Sequence, residues 1–579
     1  MGIVNGLMNS WLKGGKLIGE YGGEYPRTSS PTSFCENPQG EGSDPKNTKS
    51  DNRERTQKTV TTDLGISVGP PPIPASFHFK SFIASCPLEL GGLEDPGKNG
   101  QGKLFKDEDF DFCDLKTKFP QVKFKRPSEI VPNPQFFVKN FPSQPCGKAQ
   151  VGDVWFLPAV SVVAGRHELF EKVVNISQTF EASTYTGTFR FNFWWYGDWV
   201  NVIVDDRLPM DGEVPMFSGC SEEGFWMALL EKAYANNYIN WRVLYKIIAY
   251  SRRLVGSYEP ISCVSYPLSL LCLTGGLVSE VHRSEYKEEE FEQLRDEHFR
   301  GLLLLALTSY DLPLAGVNGL IPNQAQAVTG FATLEGKDGK PIRLVRLRNP
   351  WSSGAWKGDW SDKSEKWHEV RDEDHDKLIK EKMPLEYWIE WSDFTKYFER
   401  LAKCFISPEV LIECADKEKA KEIPFSLIPI QSQWNYKKKS AGGAPGIAGN
   451  RFQRNPQFVL NLSNLSDSQP EEKIPVIFNL LLKYGDSQTS RCFPLGLVVY
   501  KVPEEETGRF RKFDAAFFND PTNPAHYVQK IFKYCGSCEY IKLDPGVYVF
   551  VPTAYEEDDE GSFFLRLAVQ GKAIVSDLD

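Results

Sequence analysis

The chain has 579 residues, 41% of them apolar, enough for about three or four ordinary domains with buried cores. Its net charge of -10 gives no reason to expect nucleic acid as the main partner. The 12 cysteines are scattered, which suits a reducing cytoplasm better than a disulfide framework; no apolar run reaches spanning length, and no charged leader with a cleavage site precedes the chain.

At the N-terminus Val4, Leu7, Met8, Trp11 and Leu12 recur at helical spacing, followed by Lys13 and Lys16, so residues 1–22 are expected to hold an amphipathic helix. Such a helix lies on an anionic membrane or docks on the protein's own core. Gly2 is a lipidation candidate, weakened by Gly6 where Ser or Thr is favoured. Residues 23–103 are rich in Pro, Ser, Thr, Gly and charge and read as a mostly disordered linker.

A dense set of motifs begins at Leu104-Phe105-Lys106-Asp107-Glu108-Asp109-Phe110 and continues through Lys125-Arg126-Pro127-Ser128-Glu129-Ile130 and Gly152-Asp153-Val154-Trp155. Residues 189–204 alternate apolar and polar around Tyr196-Gly197-Asp198, the pattern of a hairpin, and residues 225–235 follow helical spacing. Asn323-Gln324-Ala325-Gln326-Ala327-Val328-Thr329 and Arg346-Leu347-Arg348-Asn349-Pro350-Trp351 come next. In this order and spacing the segments resemble the calpain family of calcium-dependent cysteine proteases. The resemblance implies an α+β fold: a papain-like, two-lobed protease core over 104–408, followed by an all-β C2-like sandwich over 422–575. Short strands at 458–462, 476–482, 496–500 and 547–552 read as such a sandwich in their own right, after a charged break near 412–421.

The resemblance also implies where a catalytic site would stand. Val154 falls on the nucleophilic cysteine, Gln324 on the histidine and Lys148 on the oxyanion-stabilising glutamine. Asn349 matches the residue that orients the histidine. Valine cannot attack a carbonyl, and an amide does not titrate near neutral pH, so nucleophile and base are both missing. Pro158 is tolerated if it falls in the first turn of the helix that follows the nucleophile position. Cys146, eight residues earlier, is the candidate thiol for a rearranged site.

Calcium ligands carry over only in part. Pro145 and Gly224 replace both carboxylates of a first site, and Ala355 and Pro384 replace two ligands of a second. Asp362 and Glu386 remain, and read as surface acids, since a hard cation needs several oxygens. No cofactor is therefore required, and any calcium site is weak. The C-x-x-C at Cys535 and Cys538 has no second pair and reads as ordinary cysteines. In the sandwich, Lys437, Lys438 and Lys439 are candidates for an anionic lipid contact and 556–560 for a calcium-responsive acidic loop; each reads first as a solvated face, since charge runs commonly only solubilise. No D-x-D-x-D-G loop is present, so an EF-hand domain is not expected.

The expected function is a catalytically inactive, calpain-like scaffold or regulator in the cytoplasm, binding proteins or peptides, including cytoskeletal ones. Two alternatives stay open: a calcium-regulated endopeptidase with a rearranged site, and a peripheral membrane module.

Overall fold

The computed structural model describes residues 59–61, 104–107, 121–138, 156–215, 224–240, 266–286, 290–350, 356–406, 425–445, 451–464, 473–483, 493–508, 511–528, 533–534 and 536–578. The expected helix at 1–22 and the break at 412–421 lie outside them. Within the 23–103 segment a short strand, β1 (Thr59–Thr61), is described.

After β2 (Lys123–Lys125), the chain forms α1 (Phe156–Ala164), whose nine residues are all buried. A helix apolar on every side belongs inside, and Pro158 lies in its first turn, where its missing N–H breaks no bond. Beyond α2 (His167–Val173), the strands β3 (Thr188–Trp195) and β4 (Asp198–Asp205) form the expected hairpin. Its two turn residues, Tyr196 and Gly197, have φ of 46° and 105°, the tight geometry whose twist matches the strands. β5 (Leu208–Asp211) pairs with β2 and with β6 (Val214–Pro215). The helices α3 (Trp226–Asn240) and α4 (Tyr266–Thr274) complete this helical layer. Within it Lys232 of α3 reaches Asp205, which Arg207 also binds, while Asp206 takes Arg126 and Tyr185. Buried carboxylates persist only when paired in this way.

A six-stranded antiparallel sheet follows. Its strands are β7 (Leu277–His282), β8 (Leu303–Thr308), β9 (Ala325–Glu335), β10 (Pro341–Arg348), β11 (Glu386–Glu390) and β12 (Phe398–Phe405), in the order β11-β10-β9-β8-β12-β7. α5 (Glu290–Phe299), α6 (Asp372–Lys380) and α7 (Trp391–Tyr397) lie between them in sequence. Alternate residues serve opposite faces: Leu303, Leu305 and Leu307 join the core of the helical layer, while Leu304 and Ala306 join a second core with Val345 and Leu347. The fold to this point is mixed, with the sheet dominant.

The C-terminal part is a β-sandwich. One sheet holds β13 (Ser426–Trp434), β15 (Ile474–Lys483), β19 (Gly536–Leu543) and β21 (Gly561–Val569) in the order β13-β21-β15-β19. The other holds β1, β14 (Gln457–Ser463), β16 (Pro494–Lys501), β17 (Tyr527–Val528), β18 (Lys533–Tyr534), β20 (Gly546–Ala554) and β22 (Lys572–Leu578). Inward residues of both sheets, among them Val476, Phe478, Leu460, Phe550 and Leu565, form a shared core. All four strands expected here fall within β14, β15, β16 and β20. β1 pairs with the outer edge of β22, Val60 opposite Val575, so part of the segment read as disordered is strand.

Candidate functional site

Gln324 and Asn349 come together at the same end of two neighbouring strands. Gln324 immediately precedes β9, and Asn349 immediately follows β10, whose last residue Arg348 pairs with Ala327. Thr308 fixes the Gln324 backbone from β8: its N–H donates to the Gln324 carbonyl at 3.0 Å, and its Oγ1 accepts from the Gln324 N–H at 2.8 Å. The Gln324 side chain is half-buried, and its Oε1 meets no donor among the described residues.

Two residues further along the same face, Gln326 is fully buried. The Tyr387 hydroxyl donates to its Oε1 at 2.5 Å, while its Nε2 meets no acceptor among the described residues. Burial raises the Tyr387 phenol far above its ordinary range, partly offset by that hydrogen bond, so it stays protonated. Asn349 is buried, and its N–H donates to the Leu385 carbonyl at 3.1 Å. Leu385 holds φ at 66°, a left-handed conformation that a leucine adopts at a cost. Among the described residues, Gln324, Gln326, Asn349 and Tyr387 thus put amides and a neutral phenol at the histidine position. None of these four can take up a proton near neutral pH.

The described cysteines offer no substitute nucleophile. Cys272, Cys404 and Cys538 are buried, and burial pushes the Cys272 thiol up to about 12 and the Cys404 thiol up to about 11. Val154, Lys148, Cys146, Pro145, Ala355 and Cys535 lie outside the described residues.

The calcium candidates are taken up by the chain's own cations. Asp362 is an exposed acid, as expected, and pairs with Lys382. Glu386 is not a surface acid: its side chain is 1% exposed. Arg348 donates to its Oε1 from Nε at 3.1 Å and from Nη2 at 2.8 Å. Its Oε2 accepts from the Met383 N–H at 2.9 Å and lies 3.4 Å from Arg346 Nε. The sequence hid this because nothing in the spacing of Arg346, Arg348 and Glu386 says that β10 and β11 are paired. Gly224 is buried and bridges Gln135 backbone to backbone, with no side chain to offer. Among the described residues no group of three or more His, Cys, Asp or Glu side chains is placed to hold a metal. This donor set does not fit a hard dication.

Lys437, Lys438 and Lys439 are exposed on the turn after β13. The acidic run lies against that same turn: Glu560 Oε1 accepts from the Tyr436 N–H at 2.7 Å, and the Asp558 N–H donates to the Ala441 carbonyl at 3.3 Å. Arg451 binds Glu557 at 3.0 Å. Two charge runs more than a hundred residues apart are therefore one mixed patch at one end of the sandwich.

Comparison with known proteins gives two family matches: calpain family cysteine protease over residues 104–405, and calpain large subunit domain III over residues 430–568. The calpain-2 catalytic subunit of Bos taurus is 28% identical over 492 residues, 82% of this chain and 66% of that protein. Calpain-14 of Homo sapiens is 29% identical over 453 residues, 77% of this chain and 62% of that one. Calpain-8 of Rattus norvegicus is 30% identical over 497 residues, 82% and 66% respectively. The chain thus spans slightly under two thirds of the length of these relatives. Among solved structures, the clostridial cysteine protease Cwp84 after propeptide cleavage aligns with a TM-score of 0.18 at 10% identity, over 75% of this chain and 84% of that one, too slight a likeness to carry any argument.

Proposed function

The chain belongs to the calpain family of cysteine proteases, and from that premise we propose that it is a member kept for binding rather than for cleavage. The observation that carries this reading is Gln324, an amide held by Thr308 at the position of the family's base. Val154 at the nucleophile position and Lys148 at the oxyanion position agree with it. Losing nucleophile or base costs a triad enzyme about a million-fold in kcat. A protein with neither acts by what it holds.

The partner on this reading is a protein or peptide, cytoskeletal proteins included, engaged by a retained papain-like cleft or by the sandwich, in the cytoplasm. Calcium is not required, because Lys382, Arg346 and Arg348 already neutralise Asp362 and Glu386. The membrane alternative is the weaker one. Glu560 and its acidic neighbours sit beside the lysine turn and oppose anionic lipid, and no helix among the described residues is long and apolar enough to cross a membrane. Buried thiols at Cys272 and Cys404 likewise lend no support to a rearranged peptidase.

Restoration tests the proposal. Purified chain is expected to leave an unfolded protein substrate intact, with and without calcium, while the triple variant Val154→Cys, Gln324→His, Lys148→Gln cleaves it. Thiol-sensitive cleavage by the unmodified chain, abolished by Cys146→Ser, sinks the proposal and supports the rearranged peptidase.

A further inference from the structure

Arg566 lies in β21 of the sandwich, yet its guanidinium reaches into the protease part of the chain. The residue is 2% exposed. Nη1 donates to the Gly275 carbonyl at 2.5 Å and Nη2 to the Gly276 carbonyl at 2.8 Å. Nε and Nη2 also donate to Asn479 Oδ1 on β15, at 3.0 and 2.7 Å. The guanidinium carbon stands 4.2 Å from the ring centroid of Trp194 on β3, a cation–π contact shielded from water.

The two glycines are where the helical layer hands over to the six-stranded sheet. α4 ends at Thr274 and β7 begins at Leu277. The Gly275 N–H donates to the Leu271 carbonyl at 2.8 Å and ends the helix with φ at 64°. A Cβ on Gly275 would stand 2.7 Å from Trp194, and one on Gly276 would stand 2.5 Å from Cys404 Sγ in β12. The crossover therefore admits only glycine. Left alone, two adjacent glycines would make it the most flexible joint between the two layers.

Arg566 removes that freedom. Its positive charge sits on the two carbonyls just beyond the C-terminal end of α4, close to where a helix end favours a cation. Its planar fork holds two successive carbonyls and an amide oxygen at once, which a lysine cannot reproduce. Around it Leu277, Ile477, Cys538 and Ala568 form an apolar cluster shared by β7 and the sandwich, and Phe564 and Leu481 of the sandwich belong to the core of the helical layer.

We propose that Arg566 is a positioning residue through which the sandwich fixes the α4–β7 crossover, so that the C-terminal domain sets the angle between the helical layer and the six-stranded sheet. The crossover is a joint governed by the sandwich and not a free hinge. The arginine stays charged at every physiological pH, so the joint answers to movement of the sandwich and not to protonation. This holds whatever the cleft binds and does not rest on the proposed function.

The test compares the full chain with Arg566→Met and Arg566→Lys by hydrogen exchange and by peptide-resolved thiol labelling. In Arg566→Met, exchange over residues 270–278 and labelling of Cys404 are expected to accelerate by about tenfold or more, with β14 and β20 unchanged. Arg566→Lys, which keeps the charge but not the fork, is expected to give the same pattern at smaller amplitude. A folded Arg566→Met with unchanged exchange at 270–278 overturns the proposal. So does equal acceleration in β14 and β20, which would make Arg566 only a general stabiliser. If Arg566→Met does not fold, Arg566→Lys decides by the same criteria.

Discussion

His298, at the end of α5, faces the Phe331 ring at 5.5 Å, and its Nδ1–H donates to the Leu302 carbonyl at 3.0 Å. Burial, reinforced by the nearby Arg166 charge, holds its pKa down to about 4, against 6.5 for a free imidazole. The unfolded chain therefore binds a proton between these values that the folded chain does not. Stability from this residue is fully present above about 6.5 and is lost as pH falls toward about 4. The ring is only partly shielded from water, so the loss is up to about 2 kcal/mol. Urea unfolding at pH 7.5 and pH 5 should show this acid limb, and His298→Gln, which cannot take the proton, should flatten it. An unchanged limb in the variant assigns the acid sensitivity elsewhere. Gln324, by contrast, becomes a base at no pH in this range, because an amide has no proton equilibrium there.

The turn between α6 and β11 joins Asn349 to the ion pairs of Glu386. Met383 and Leu385 are exposed there, Leu385 is left-handed, and its carbonyl holds Asn349. Replacing Leu385 with glycine removes the steric cost at φ 66° but gives up the packing of a side chain that is 36% exposed. The unfolded glycine is also floppier, so the net gain is at most about 0.5–1 kcal/mol. A thermal melt of Leu385→Gly checks this; a fall in Tm would mean that the leucine side chain packs more than its exposure indicates. Hairpin β3–β4 was legible in the sequence, because a two-residue turn with Gly between alternating strands is a local signal, whereas helix α1 was implied by the family resemblance alone. The strand at Thr59–Thr61 was not, since pairing with β22 is a tertiary event that composition does not carry.

Across the six-stranded sheet region, Lys382 pairs with Asp362, and Arg346 and Arg348 pair with Glu386. If Lys382, Arg346 and Arg348 have taken calcium's place, millimolar calcium should shift the Tm by less than about 1 °C. Binding at a hundredfold excess over Kd would add about 2.7 kcal/mol and move the Tm by several degrees. A saturable shift of that size refutes the calcium-independent reading.

Residue identity alone carries the family, the order of segments, and the lack of cysteine and histidine at the matched positions, because these depend on which atoms each residue carries. It also names Gln324 and Asn349 as counterparts, and the pairing of β9 with β10 sets the two at the same end of those strands. It misread Glu386 as a surface acid and treated Lys437–Lys439 and the acidic run as separate features. Only the tertiary structure decided those points, along with the grip of Arg566 on Gly275 and Gly276. Each depends on which strands pair or which domains touch. Burial and partnership across hundreds of residues fix a charge's role, and neither quantity is a property of local sequence.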